Sequence, residues 1–221
     1  MDSLTTDAPQ GTVSREAYTA ALVARHGAEN QEKFAQARVG IAGLGGLGSA
    51  VAFHLARMGV GTLVLADFDV VDVTNLHRQQ YLLEHIGMLK TDALAAQLRA
   101  INPFIELETH PVKVTAENAC EIFAGCDIAC EAFDQADQKA LLVETLLAKL
   151  PDTKVVSGSG MAGFASANLI TTDHVLGNLY VCGDGTSDVA EEGTLVSSRV
   201  GVCAGHQANM VMRLILGEVE P

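Results

Sequence analysis

Asp67, Asp69, Thr74, Asn75, Arg78 and Gln79 crowd into one short stretch, DFDVVDVTNLHRQQY, at 67–81. A carboxylate at the end of a strand can accept hydrogen bonds from ribose hydroxyls. An arginine offers a rigid fork of donors matched to phosphate oxygens, and side-chain amides add further donors. Asn75, Arg78 and Gln79 stand in an i, i+3, i+4 relation, so one helical turn puts all three on one face. A solvated polar turn is the plain alternative, but it gives no reason for that face to follow a ribose-type acid.

Upstream, Gly43-Leu-Gly45-Gly46-Leu-Gly48 reads G-x-G-x-x-G. Such glycines permit a tight turn, close ligand approach and close helix–strand packing, with the helix amides turned toward a phosphate. Asp67 lies about 20 residues further on, the usual spacing for the ribose acid. The motif alone does not separate NAD, FAD and ATP, and by itself it favours an oxidoreductase.

Two further positions shift the balance. Lys90 opens a helix, where the dipole disfavours a cation and an anionic ligand would account for it. A surface lysine is the simpler alternative. Asp134 ends IACEAFD, at the carboxyl end of a strand, where a hard oxygen ligand beside phosphates suits Mg2+. Asp137, close by, reads as a helix N-cap. A ribose acid, an Arg/Asn/Gln face, a lysine and a metal-type Asp fit a nucleoside triphosphate with metal better than a nicotinamide.

These residues need an α/β frame. Apolar Val39–Ala42 and Thr62–Ala66 read as strands covered on both faces, joined by an amphipathic helix Gly46–Met58. Ser14–Arg25 and Glu29–Ala37 read as short helices ahead of this unit. Helices are expected at Lys90–Ile101, Ala116–Ala124 and Asp137–Leu150, and strands at Ile105–Pro111, Ile128–Glu131 and Lys154–Ser157. From Gly158 a glycine-rich, strand-like stretch implies antiparallel strands or loops added at the sheet edge. Thr194–Gly201 reads as a flexible crossing segment and Cys203–Leu216 as a closing helix. The expectation is a Rossmann-like, doubly wound, mostly parallel sheet, with residues 1–13 a flexible tail and 14–221 a single domain.

Composition sets outer limits. The chain has 221 residues, 48% hydrophobic and 19% charged, with a net charge of −13. That is globular composition, and the acidity argues against nucleic acid, whose binders carry a basic footprint. No membrane-length apolar run or signal pattern is present, so a cytoplasmic protein is expected. The five cysteines are odd in number and share no C-x-x-C spacing, which argues against a disulfide framework or a four-cysteine zinc site. Cys120, Cys126 and Cys130 read as core residues. Cys182, in LYVCGDG, could be an exposed thiol or a buried one. His54, His77, His85 and His206 form no triad or HExxH arrangement.

GLGGLGS, DFDVVDVTNLHRQQY, IGMLKTDAL, INPF and EAFD, with the later SGMAGF, YVCGD and HQANMVMRLILG, resemble the ThiF/MoeB/HesA group. These are adenylyltransferases that activate ubiquitin-like sulfur carriers, and the likeness is nearest to the short-form ThiF branch. The resemblance implies ATP and Mg2+ as cofactors, a ThiS-like carrier ending in Gly-Gly as partner, and a homodimer. It implies nucleotide contacts from Gly43, Gly45, Gly46, Asp67, Asp69, Thr74, Asn75, Arg78, Gln79 and Lys90, with Asp134 on Mg2+. Arg78, Lys90 and Asp134 would then serve catalysis, and Cys182 is the position to test for a covalent link to the carrier. Larger relatives carry zinc on paired C-x-x-C motifs, absent here, so no zinc is expected. They also receive an arginine from the partner's N-terminal helix, for which Arg15 and Arg25 are candidates, Arg25 preferred. A tRNA threonylcarbamoyladenosine dehydratase-like activity, an NAD-dependent oxidoreductase and a non-catalytic nucleotide-binding partner are the competing readings.

Overall fold

A computed structural model describes residues 12–221, so most of the expected N-terminal tail lies outside the described residues. Ser14 caps helix α1 (Arg15–His26) by accepting a hydrogen bond from the Ala17 amide at 3.1 Å. After Gly27 comes α2 (Ala28–Gln36), whose Phe34 is buried. Strand β1 (Arg38–Ala42), helix α3 (Gly46–Met58) and strand β2 (Thr62–Ala66) then form the β-α-β unit. The chain continues through α4 (Lys90–Ile101), β3 (Glu106–His110), α5 (Ala119–Ile122), β4 (Ile128–Glu131), α6 (Ala136–Lys149) and β5 (Lys154–Gly158). It closes with β6 (Thr171–Leu176), β7 (Leu179–Gly183), α7 (Val189–Glu192) and α8 (Ser197–Leu216).

The seven strands run in the order β3-β2-β1-β4-β5-β7-β6. All neighbours are parallel except β6 and β7. The expected doubly wound, mostly parallel sheet is present. The strand order reverses between β1 and β4, which opens a crevice at their carboxyl ends. Central strands β1, β2, β4 and β5 are buried almost throughout, as their continuous apolar runs require when helices cover both faces. Leu55, Leu63, Leu65, Leu94, Leu98 and Ile128 anchor the larger core, and Phe123, Leu142 and Leu146 the one on the opposite face.

Three boundaries differ from expectation for local reasons. The helix expected at Ala116–Ala124 contracts to α5, because Asn118 accepts from the Thr115 amide at 2.7 Å and donates to Lys113 at 2.9 Å, making a turn. Added strand β7 pairs parallel to β5, leaving only β6 antiparallel. Most consequentially, α8 starts at Ser197, inside the expected crossing segment. Gly201 costs about 1 kcal/mol against alanine in a helix, yet the buried Arg199, Val200 and Cys203 on its flanks hold the helix onto the core. No helix among the described residues is long and apolar enough to cross a membrane.

Candidate functional site

The crevice at the strand reversal is a cleft of about 430 Å³. Its floor begins with the glycine loop. Gly43 adopts φ +87°, where a side chain would strike the Ala132 carbonyl at 2.8 Å. An added Cβ at Gly48 would fall onto the Gly43 carbonyl, so this glycine serves helix–strand packing. Gly45 is different: an added Cβ would meet only Gln79 Nε2, at 3.7 Å. No packing contact therefore requires a glycine at this position.

Asp67, at the end of β2, is buried and faces this loop. One carboxylate oxygen accepts the Leu44 amide at 2.6 Å and the other the Asp69 amide at 2.8 Å. Burial pushes the Asp67 carboxyl up, while Lys90 and the two amides pull it back. Each oxygen keeps a lone pair for a further donor, the arrangement a ribose diol needs.

The stretch after Asp67 folds back on itself. Val71 N–H donates to Met88 at 2.8 Å, Gly87 N–H to Val71 at 2.8 Å and Lys90 N–H to Asp69 at 2.9 Å. This pairing brings the Lys90 ammonium to Asp69 at 2.7 Å, both lining the cleft. Asp72 and Asn75 cap a single turn at Val73–Asn75, after which Gln79 N–H donates to Asn75 at 3.0 Å. Asn75, Arg78 and Gln79 therefore reach the cleft on one face, as their spacing predicts. Ser49 fixes that turn against α3, donating to Gly45 at 2.6 Å and accepting from the Gln80 amide at 3.2 Å. Among the described residues no carboxylate pairs with Arg78, which leaves its charge available to an anion. Gln79 Oε1 is buried and has no donor.

Across the cleft, Asp134 is exposed at the carboxyl end of β4. Beneath it lies a network that the sequence reading missed. Glu131 is wholly buried, and its carboxylate accepts from Ser157 at 2.6 Å, from the Phe133 amide at 2.6 Å and from Lys139 at 2.9 and 3.0 Å. Lys139 also donates to the Phe133 carbonyl at 2.7 Å. Gln207 of α8 donates to the Glu131 and Val156 carbonyls at 3.0 and 3.2 Å, tying these strands together. Lys113, just past β3, adds another cation to the lining. Its position at the end of a strand was the available signal.

The described residues contain no group of three or more His, Cys, Asp or Glu able to hold a metal by themselves. Asp134 is thus a single hard carboxylate. That donor set suits Mg2+, which binds through one or two carboxylates and takes its other ligands from phosphate and water.

Some expected residues are not brought to the cleft. Thr74 is exposed, its hydroxyl donating to Asp72 at 2.6 Å. Cys182 takes the buried of its two alternatives. It points into the core of β7, fully buried, with Thr172 Oγ1 at 3.5 Å, and burial pushes its thiol up to about 11. A neutral, enclosed thiol is not a nucleophile for the cleft. Asp137 lies inside the first turn of α6, behind N-cap Gln135. Arg15 stacks over the Phe104 ring at 4.9 Å, beside the amino-terminal ends of β2 and β3, and Arg25 is exposed on α1. His85 is buried beside Tyr81, and His206 bonds Thr172 at 2.9 Å.

An adenylyltransferase and sulfurtransferase of Candida glabrata is 31% identical over 198 residues, covering 86% of this chain and 45% of its own length. A sulfur carrier protein adenylyltransferase of Thermus thermophilus is 38% identical over 117 residues, 52% of this chain and 43% of that protein. The chain thus spans about half the length of the curated relatives it matches. The crystal structure of E. coli tRNA N6-threonylcarbamoyladenosine dehydratase in complex with ATP superimposes with a TM-score of 0.81 at 21% identity, covering 93% of this chain and 97% of that one. At that identity the likeness concerns the fold. The model of the ThiF family matches residues 18–221, from α1 to the C-terminal residue, and this chain belongs to that family.

Proposed function

We propose that the protein is an ATP- and Mg2+-dependent adenylyltransferase acting on the C-terminal carboxylate of a ubiquitin-like sulfur carrier, a ThiS-like protein ending in Gly-Gly. The observation that carries this is the convergence, in one cleft, of Asp67 under the glycine loop with Arg78, which no carboxylate pairs, with Lys90 held by Asp69, and with Asp134. The relatives named as adenylyltransferases support it, as does membership in the ThiF family. A nicotinamide enzyme would give Asp134, a metal-type carboxylate at the cleft, nothing to hold. The net charge of −13 disfavours a tRNA substrate.

In this reading Asp67 holds the ribose, and the glycine loop lets the nucleotide backbone approach. The phosphates run toward Arg78 and Lys90, which offset the repulsion between ATP and an incoming carboxylate. A carboxylate oxygen attacks the α-phosphorus, the bond to the bridging β-oxygen breaks, and pyrophosphate leaves with that electron pair. No general base is required, because the carboxylate is ionised at neutral pH. Asp134 would hold Mg2+, which supplies charge neutralisation on the phosphates. The wall formed by residues 158–162 with Ser187 and Leu195 presents two glycines, two serines, Ala162 and backbone, flanked by Met161 and Leu195, suiting an extended glycine-rich chain. A ThiS-like carrier, a role in thiazole formation, a cytoplasmic location and a homodimer extend this reading.

Pyrophosphate exchange into ATP tests it, run with and without purified carriers ending in Gly-Gly. Exchange that requires a carrier and falls by at least about 10²-fold in Arg78→Ala is expected. Absence of exchange with every carrier, together with tight NAD binding, would refute it.

A further inference from the structure

The acceptor wall of the cleft is assembled from three segments that share one buried ion pair. Arg199, in the first turn of α8, pairs with Asp184 just past β7, and both side chains are nearly inaccessible, at 3% and 6%. Arg199 also donates to the Ser166 carbonyl at 3.4 Å. Asp184 accepts the Thr186 amide at 2.9 Å and the Ser187 amide at 2.8 Å, while its own amide donates to Gly160 at 2.8 Å. Gly160 has φ +79°, and any Cβ there would collide with Asp184 and the backbone of Gly185 and Thr186. Ser187 completes the knot, its hydroxyl oxygen accepting the Ala162 amide at 3.0 Å. Gly160, Ala162 and Ser187 all line the cleft.

A buried ion pair is poor value for stability alone, since apolar residues of equal volume would do as well or better. What this pair does uniquely is fix the mutual register of the loops after β5 and β7 and the start of α8. We propose that Arg199 and Asp184 are positioning residues for the acceptor: they hold the wall along which the carboxylate-bearing chain lies, and act on acceptor turnover rather than on ATP binding. The proposal rests on the adenylyl-transfer reading for the identity of the acceptor.

The test uses Asp184→Asn, which keeps an oxygen for the two amides but removes the charge facing Arg199, and Ser187→Ala, a milder cut in the same knot. ATP affinity is measured by calorimetry, and acceptor kcat/KM by pyrophosphate exchange with a Gly-Gly carrier that supports wild-type exchange. Amide hydrogen exchange is followed over 159–166 and 185–187. Asp184→Asn should lower acceptor kcat/KM by about 10²-fold, as expected for misplacement near 1 Å, with a smaller fall in Ser187→Ala. ATP affinity should stay within about twofold, and the two segments should lose protection. Unchanged acceptor kinetics, or an equal loss of ATP affinity, would overturn the assignment. If the wild type shows no exchange with any carrier, the adenylyl-transfer reading fails on its own. The anchor is then judged by protection and ATP affinity: loss of protection with unchanged affinity upholds it, and retained protection overturns it.

Discussion

Replacing Lys139 by methionine should destabilise the fold far more than loss of a partly exposed lysine ordinarily does. Its ammonium makes three short hydrogen bonds, two to Glu131 and one to the Phe133 carbonyl. Glu131 has no access to solvent, so Lys139→Met leaves a carboxylate in the core with only Ser157 and one amide as partners. Orphaning a buried charge costs about 3–5 kcal/mol. Lys139 is 20% exposed, which admits some water and places the expectation near the lower end, about 3 kcal/mol. Glu131→Gln with Lys139→Met removes the charge yet preserves both other contacts, its amide oxygen accepting from Phe133 and its NH2 donating to Ser157. The double variant should recover about 2 kcal/mol of the loss. Urea unfolding of the four proteins, with equal m-values, measures this directly. A loss below about 1 kcal/mol in Lys139→Met would refute the reasoning, as would a double variant no more stable than the sum of the single effects. The same ammonium and carboxylate pin the Phe133 peptide from both sides, one residue before Asp134. Lys139→Met should therefore also raise the Mg2+ concentration needed for half-maximal pyrophosphate exchange.

The two ends of the glycine motif should separate binding from folding. Gly45→Ala should cost under about 1 kcal/mol of stability but at least tenfold in ATP affinity, about 1.4 kcal/mol; calorimetry and urea melts check both. Gly48→Ala places a methyl on the Gly43 carbonyl and should lose about 3 kcal/mol or fail to fold. Cys182→Ser should keep full pyrophosphate exchange while losing about 1–3 kcal/mol from burying a hydroxyl; a collapse of exchange in folded protein would return Cys182 to the mechanism. The Asp184 carboxyl, which burial alone would push up, is held down at about 2 by the Ser187 and Thr186 groups and Arg199. Its folded value lies below the unfolded value of about 3.9. Its contribution, about 2 kcal/mol, is present above pH ~4 and fades as pH falls toward 2. Urea melts of wild type and Asp184→Asn should therefore differ at pH 6 and converge near pH 2, whereas a constant gap would contradict this origin.

The gathering of Asp67, Asn75, Arg78 and Gln79 at one cleft was legible in the sequence because its determinants are local. The turn that gathers Asn75, Arg78 and Gln79 is encoded in their spacing and in Asp72 as its cap, and Asp67 sits at the end of an apolar strand. Lys90 was legible for a different reason: a cation at a helix start is an anomaly that asks for an anion. Asp69 answers it in this structure. Thr74, which the family resemblance implies as a nucleotide contact, does not line the cleft. Its hydroxyl goes to Asp72, the carboxylate that builds the turn, which is a local capping contact of the kind such residues favour.

The acceptor side could not be read the same way, and the reason is physical. Its wall needs residues from 158–166, 183–187 and the start of α8, brought together only by tertiary contacts. The residues that join them are charged, yet Arg199 and Asp184 cancel one another in the core and leave no periodic signal. Glu131 is hidden more deeply still, in an apolar run that reads as an ordinary buried strand until Lys139 is found beside it. Burial also decides between the two readings of Cys182: a thiol before a glycine-rich turn can be exposed, but this one packs inward from β7 against Thr172. The contrast in chemistry follows. A triphosphate demands a cation without a carboxylate partner, and Arg78 stands out as one in a chain of net charge −13. An extended glycine-rich acceptor demands only a wall of small residues held in register, and what holds it there is polar, paired and out of sight.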